Sequence, residues 1–167
     1  SKEVLPGDTT NREGHAAKVY FNKIFGEHFS RRDDDPINSA LNYGYTILLS
    51  AVNRCIAAFG YSTILGVFHS NNSNPFNLGC DLMEPFRTEI DKQVLSMKFT
   101  LFGPEQKRKI LNVLNNIVTI DGKRNYVLNA IRIYVQSFFT AMEERNPSKI
   151  KFHETAHDEA EVHEGSG

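Results

Sequence analysis

The stretch "DPINSALNYGYTILLSAVNRCIAAFG", residues 35 to 60, restricts the possible folds more than any other part of this chain. Asp35 is suited to cap a helix, and Pro36 has the backbone angle of a first helical residue already built in. From there Ile37, Leu41, Tyr45, Leu48, Val52, Ile56 and Phe59 recur at spacings of three and four until Gly60. That period predicts a long helix with one apolar face, which has to be covered by other elements.

The covering elements also read as helices. Ala16, Ala17, Tyr20, Phe21 and Ile24 share a face of a short helix that stops at Gly26. Leu82, Phe86, Ile90, Val94, Met97 and Leu101 mark another, ended by "FGP". Pro104 starts a helix expected to bury Ile110, Leu111, Leu114, Ile117 and Val118, and "DGKRN" then turns the chain. The last helix buries Val127, Ile131, Tyr134, Phe138 and Met142. No strand alternation or repeat stands out, so the expectation is an all-α single domain of five or six helices over residues 11–150. Residues 1–10 read as a linker and 151–167 as a polar, acidic, disordered tail.

With 167 residues the chain can hold one core but not two full domains. It has no leader pattern and no apolar run near the length of a membrane span, so a cytoplasmic protein without membrane attachment is expected. Cys55 and Cys80 form neither a disulfide framework nor a zinc cluster. The formal net charge of −1 hides an asymmetry: residues 153–167 hold five acids and no Lys or Arg, leaving 19 basic against 15 acidic groups in the rest. A mildly basic body is compatible with a nucleic-acid partner.

Several residues admit both a structural and a chemical reading. Glu13 follows Thr10 by three, and Glu84 follows Asp81 by three, the spacing of a capping box in each case. Gly14, inside a helix, costs about 1 kcal/mol against Ala and suggests a close approach to the backbone beside Glu13. His69 opens the Asn-rich run "HSNNSNPFNLGC" and is either a hydrogen-bonded loop residue or a ligand. An imidazole together with carboxylates from different helices suits an oxygen-preferring divalent ion such as Mg²⁺ or Mn²⁺. Lys107, Arg108 and Lys109 follow Pro104 closely, where cations oppose the helix dipole; an external anion or a solvated face would account for them.

Taken together, "GDTTNREGHAAKVYF", "DPINSALNYGYTILLSAVNR" and "GYSTILGVFHSNNSNPFNLGCDLMEPFR" resemble the C-terminal helical domain of the CRISPR-associated integrase, in the version found in type II systems. That protein is the endonuclease-like subunit of the spacer-acquisition complex. The likeness runs from about Gly7 to about Ile150 in family order and spacing. It implies that Glu13, His69 and Glu84 are catalytic metal ligands for Mg²⁺ or Mn²⁺. It makes Asp81 an acid behind them, and Arg87 a contact to DNA phosphate. Lys107, Arg108 and Lys109, with Lys123-Arg124 and Arg31-Arg32, become candidates for DNA-backbone contacts. The implied reaction inserts captured DNA into a CRISPR repeat array by transesterification. The implied partners are DNA, a second copy joined through the family's N-terminal β-rich domain, which this chain lacks, and a small dimeric ferredoxin-like protein. A DNA-binding or assembly module without turnover is the alternative.

A rival motif closes the chain. "HETAHDEAEVH" is an H-E-x-x-H, with His163 placed like a third zinc ligand. A zinc protease needs its histidines on a buried helix and a Gly before the third ligand, where Ala160 stands. The protease reading ranks third.

Overall fold

A computed structural model of the chain describes residues 9–60 and 77–154, without the side chains of residues 9–11, 13 and 77. The long helix is in place as α2 (Pro36–Ala58), and the Asp35 side chain accepts from the Asn38 backbone N–H at 2.7 Å. Leu41, Leu48, Val52 and Ile56 are fully buried. Helices α3 (Asn77–Met83), α4 (Arg87–Ser96), α5 (Pro104–Leu111) and α6 (Val127–Glu143) all pack on α2, which is the axis of the domain. Helix α1 (Thr9–Phe25) starts within the stretch read as linker and is exposed from Gly14 to Tyr20. Its attachment is aromatic: Phe21, Phe25 and Phe29 pack on one another with ring centroids 5.0 to 6.3 Å apart.

The all-helical expectation holds for most of the chain and fails at one place. The helix predicted from Pro104 through Val118 ends at Leu111, passes through a 3₁₀ turn (Asn112–Asn115), and gives way to strand β1 (Ile117–Ile120). Asp121 and Gly122 both take positive φ, 53° and 70°, which is the two-residue hairpin turn that Asp-Gly favours, and β2 (Lys123–Tyr126) returns antiparallel. Val118 and Ile120 are buried while Ile117 is 46% exposed, so burial alternates with the strand period.

The boundary drawn at residue 151 is also too early. His153 and Glu154 form β3 on the other edge of β1, pairing Ile120 with His153, and make a three-stranded sheet in the order β2-β1-β3. The His153 side chain is buried, its ring stacked on Phe86 at 4.3 Å and 10°. Residues 155–167 lie outside the described residues.

Two helix ends are likewise corrected. Helix α4 stops at Ser96 as Met97 turns extended, and Met97 and Phe99 are half-buried beside exposed Lys98 and Thr100. Leu101 falls out of the core at 75% exposure. In α6, Val127, Ile131 and Tyr134 are buried as expected, but Phe138 and Met142 are only half-buried, and Val135 and Phe139 take the interior. Among the described residues no helix is long and apolar enough to cross a membrane.

Close approach of α2 and α4 occurs at Gly44. A β-carbon there would stand 2.9 Å from Ile90 Cδ1 and closer still to Ile90 Cγ2, and Ile90 is fully buried. Gly44→Ala gains about 1 kcal/mol of helix propensity, against overpacking of typically 1–3 kcal/mol. Because Ile90 has no free space to yield, the upper end applies, and the expected net result is a loss of about 2 kcal/mol in denaturant unfolding. An unchanged midpoint would show that the two helices can part freely.

Candidate functional site

Proline decides how Glu84 is presented. Pro85 has no N–H to continue the α3 ladder, so the helix tightens into a 3₁₀ turn over Glu84–Phe86 before α4 begins at Arg87. Phe86 of that turn is fully buried and anchors it, while the Glu84 side chain is 55% exposed at the joint. Helix α3 starts at Asn77, so Asp81 is inside it and exposed, not at its cap. The capping-box reading of Asp81 and Glu84 therefore falls, and the acid at 84 has no structural duty of that kind. Among the described residues its carboxylate meets Arg87, Nε to Oε1 at 3.3 Å.

Arg87 links Glu84 to a buried cluster. Its guanidinium carbon lies 4.6 Å above the Tyr45 ring, and that of Arg31 lies 5.6 Å from the same ring. Tyr45 of α2 donates its hydroxyl hydrogen bond to Asp91 Oδ1, and Tyr20 of α1 donates to Asp91 Oδ2 at 2.9 Å. Thus one carboxylate on α4 is shared by two other helices. Burial raises the Asp91 pKa against the lowering effect of both tyrosines and of Arg87 and Arg31. Burial, then the charge of Asp91, pushes the Tyr20 hydroxyl up to about 12, and burial with the Asp91 hydrogen bond raises Tyr45 as well. Both phenols remain donors through the neutral range.

Arg31 opens onto a cleft of about 500 Å³ lined by Gly14, Lys18, His28 and Arg32 among others. It is held in place by donating to Asn38 Oδ1 and, at 2.6 Å, to Asn42 Oδ1. Arg32 is exposed. A β-carbon at Gly14 would meet no described atom within 4 Å, so packing within the described chain does not demand glycine there. The cleft is bordered by Lys18, Arg31 and Arg32, and among the described residues no Asp or Glu lines it.

Of the expected site residues, the structure places Glu84 and Arg87 together and puts Glu13 on α1, whose neighbour Gly14 borders the cleft. The Glu13 side chain and the whole of His69 lie outside the described residues. Among the described residues no group of three His, Cys, Asp or Glu is gathered. The donor chemistry of Glu13, His69 and Glu84, two carboxylates and an imidazole, fits an oxygen-preferring divalent cation, and the exposed Glu84 carboxylate is accessible to one.

The basic run after Pro104 is placed differently from its expectation. Because α5 has only eight residues, Arg108 and Lys109 occupy its last turn, where cations favour the dipole. Lys109 pairs with Glu105 at 3.1 Å, and Lys107 stands 5.7 Å from the Phe102 ring and 5.8 Å from that of Tyr43. No external anion is needed to explain them. The H-E-x-x-H reading loses its geometry too: His153 is in a strand, whereas zinc-protease histidines share a helix face. Its Nε2 faces Glu89 Oε1 at 3.4 Å inside the core, while His157 and His163 lie outside the described residues.

Sequence reasoning missed Asp91 and saw Tyr45 and Tyr20 only as apolar-face positions. The available signal was an acid directly after Ile90 on a buried face, which a solvated helix flank would imitate.

Comparison with known proteins bears on these residues directly. The family described as CRISPR associated protein Cas1 matches residues 8–99, the stretch from α1 through α4. The CRISPR-associated endonuclease Cas1 of Neisseria meningitidis serogroup C (strain 8013) is 37% identical over 160 residues, 92% of this chain and 52% of the relative. The CRISPR-associated endonuclease Cas1 1 of Francisella tularensis subsp. novicida (strain U112) is 31% identical over 140 residues, covering 77% of this chain and 44% of its own. A solved structure, "Casposase bound to integration product", superposes with a TM-score of 0.66 at 26% identity, over 83% of this chain and 48% of that one. The chain spans about half the length of the curated relatives it matches.

Proposed function

Since the chain belongs to the Cas1 family of CRISPR-associated proteins, we propose that it forms the metal-dependent catalytic part of a DNA integrase that inserts captured fragments into a CRISPR repeat array. The observation that carries this reading is Glu84: an acid relieved of capping duty, half exposed at a proline-made joint, with a guanidinium beside it.

In the proposed reaction a 3′-hydroxyl at the end of the captured DNA attacks a phosphodiester at the edge of the repeat. A new P–O bond forms as the bond to the departing 3′-oxygen breaks, and the proton of the attacking hydroxyl passes to that oxygen by way of solvent. One phosphodiester replaces another, so no protein nucleophile and no external energy source are required. A divalent cation, when held by Glu13, His69 and Glu84, neutralises charge on the phosphate and makes the hydroxyl easier to ionise. Arg87, steadied over the Tyr45 ring, offers its remaining N–H groups to a non-bridging phosphate oxygen, and Arg32 and Lys18 at the cleft hold the DNA backbone without reading its sequence. Asp81, one turn before Glu84, adds negative charge behind the ligand set. Lys107, Arg108 and Lys109 on α5 form a further basic surface for duplex DNA.

The partners proposed with this activity are DNA, a second copy of the full-length protein and a small dimeric ferredoxin-like protein. Two ends of one fragment must meet two active sites at a fixed separation, which a symmetric assembly supplies. The test incubates the full-length protein and that partner with a repeat-bearing supercoiled plasmid, short duplex DNA and Mn²⁺, and counts single-end and paired products. Paired insertion that depends on Mn²⁺ and weakens steeply with salt is the expected result. DNA binding with no strand transfer under any divalent ion would replace this reading with that of a non-catalytic DNA-binding or assembly module.

A further inference from the structure

Two equal intervals frame the site. Glu13 and Tyr20 are seven residues apart on α1, and Glu84 and Asp91 are seven apart through the joint and α4. Tyr20 and Asp91 are hydrogen-bonded at 2.9 Å, so the chain segments bearing two candidate ligands are tied at matching points downstream. Asp91 is itself fixed to the central helix by Tyr45.

The tie matters because, among the described residues, α1 has little else to orient it. Residues 14 to 20 are exposed, and only Phe21, Asn22, Ile24 and Phe25 are half-buried, at its far end. Seven helical residues span about 10 Å, so a tilt of about 10° at Tyr20 would move the backbone at position 13 by roughly 2 Å. Metal-ligand distances tolerate only about 0.2 Å. A cluster of phenylalanines gives burial but little directional restraint, whereas a hydrogen bond to a fixed carboxylate gives direction.

We propose that Asp91, acting through Tyr20 and anchored by Tyr45, is a positioning residue that sets α1 against the Glu84-Arg87 joint, so that Glu13 and Glu84 keep the spacing a divalent cation requires. This inference rests on the proposed function, and its readout is metal affinity, which is independent of turnover.

The experiment measures Mn²⁺ binding by calorimetry and thermal unfolding on the full-length protein and four variants. Tyr20→Phe keeps the ring and removes the donor; Asp91→Asn keeps one acceptor and removes the charge; Ile110→Val weakens a fully buried core position on α5, a helix that bears no candidate ligand; Glu84→Ala removes a candidate ligand. Tyr20→Phe is expected to weaken Mn²⁺ binding about 10-fold, within the range seen when a ligand's supporting partner is lost, with little change in melting temperature. Asp91→Asn should weaken it less, and Ile110→Val should lower stability while leaving Mn²⁺ affinity as in wild type. Unchanged affinity in Tyr20→Phe, with binding lost in Glu84→Ala, overturns the inference and leaves the functional reading standing. An equal loss in Ile110→Val also overturns it, since affinity would then follow general stability. No Mn²⁺ binding in wild type, or binding that survives Glu84→Ala, overturns both.

Discussion

Glu84→Ala is expected to lower divalent-metal-dependent strand transfer by the full-length protein at least ~100-fold, the scale of a lost ligand interaction of roughly 2.7 kcal/mol. The fold should be untouched. The side chain is 55% exposed, makes no cap, and its described partner is the surface contact to Arg87; such pairs contribute about 0–1 kcal/mol. Arg87 has the Tyr45 ring as a second contact and is expected to stay over it in the variant. His69→Ala, made for the same reason, should match the loss of activity. Strand transfer and far-UV circular dichroism are measured on the same preparations, and wild-type rates in both variants would remove the ligand assignment.

The second large effect concerns β3. Ending the chain after Lys151 deletes the strand that covers Phe86, whereas ending it after Glu154 retains that strand. Comparing the two isolates residues 152–154. The His153 side chain is 4% exposed and stacks on the fully buried Phe86, and β3 pairs with β1 opposite Ile120. Uncovering one large aromatic and losing a buried ring costs about 2–4 kcal/mol. For a chain of this size that is a difference of roughly 5–12 °C between the two truncations. Equal melting temperatures would mean that β3 contributes nothing to the core. The same comparison separates His153 as a core residue from His153 as a zinc ligand, because only the first role requires the shorter chain to be less stable without added metal.

Where the sequence was readable, a strong local signal and a tertiary demand agreed. Asp35-Pro36 and the three-and-four stripe to Ile56 predict α2 because the cap, the proline and the buried face are all properties of a single segment. The hairpin was hidden by two competing signals. Ile110, Leu111, Leu114, Ile117 and Val118 imitate a helical face, while the better guide was Asp-Gly between "IVTI" and "KRNY", whose turn chemistry fixes strand geometry. The tail misled for a different reason: His153 is buried by a strand and a ring from distant parts of the chain, and local composition carries no trace of either. The candidate site divides in the same way. Glu84 and Arg87 were legible from the resemblance carried by "DLMEPFR", and residues 8–99 do match the family, but the sharing of Asp91 by Tyr20 and Tyr45 joins positions 71 and 46 residues apart. No pattern within one helix announces it.

The joint at Glu84–Phe86 sets stability and geometry against each other. A 3₁₀ turn advances about 120° per residue where an α-helix advances about 100°, so these three residues accumulate roughly 60° of azimuth and about 1.5 Å of extra rise. With Pro85 replaced, a continuous helix from Asn77 to Ser96 would recover the hydrogen bond that proline forfeits, and by that measure the interrupted helix is the inferior one. It would also turn the carboxylate at 84 by about a sixth of a revolution relative to Arg87 and Asp91. Selection for folding alone would tend to remove the interruption; on the proposed reading, keeping it is the thermodynamic cost of aiming an acid.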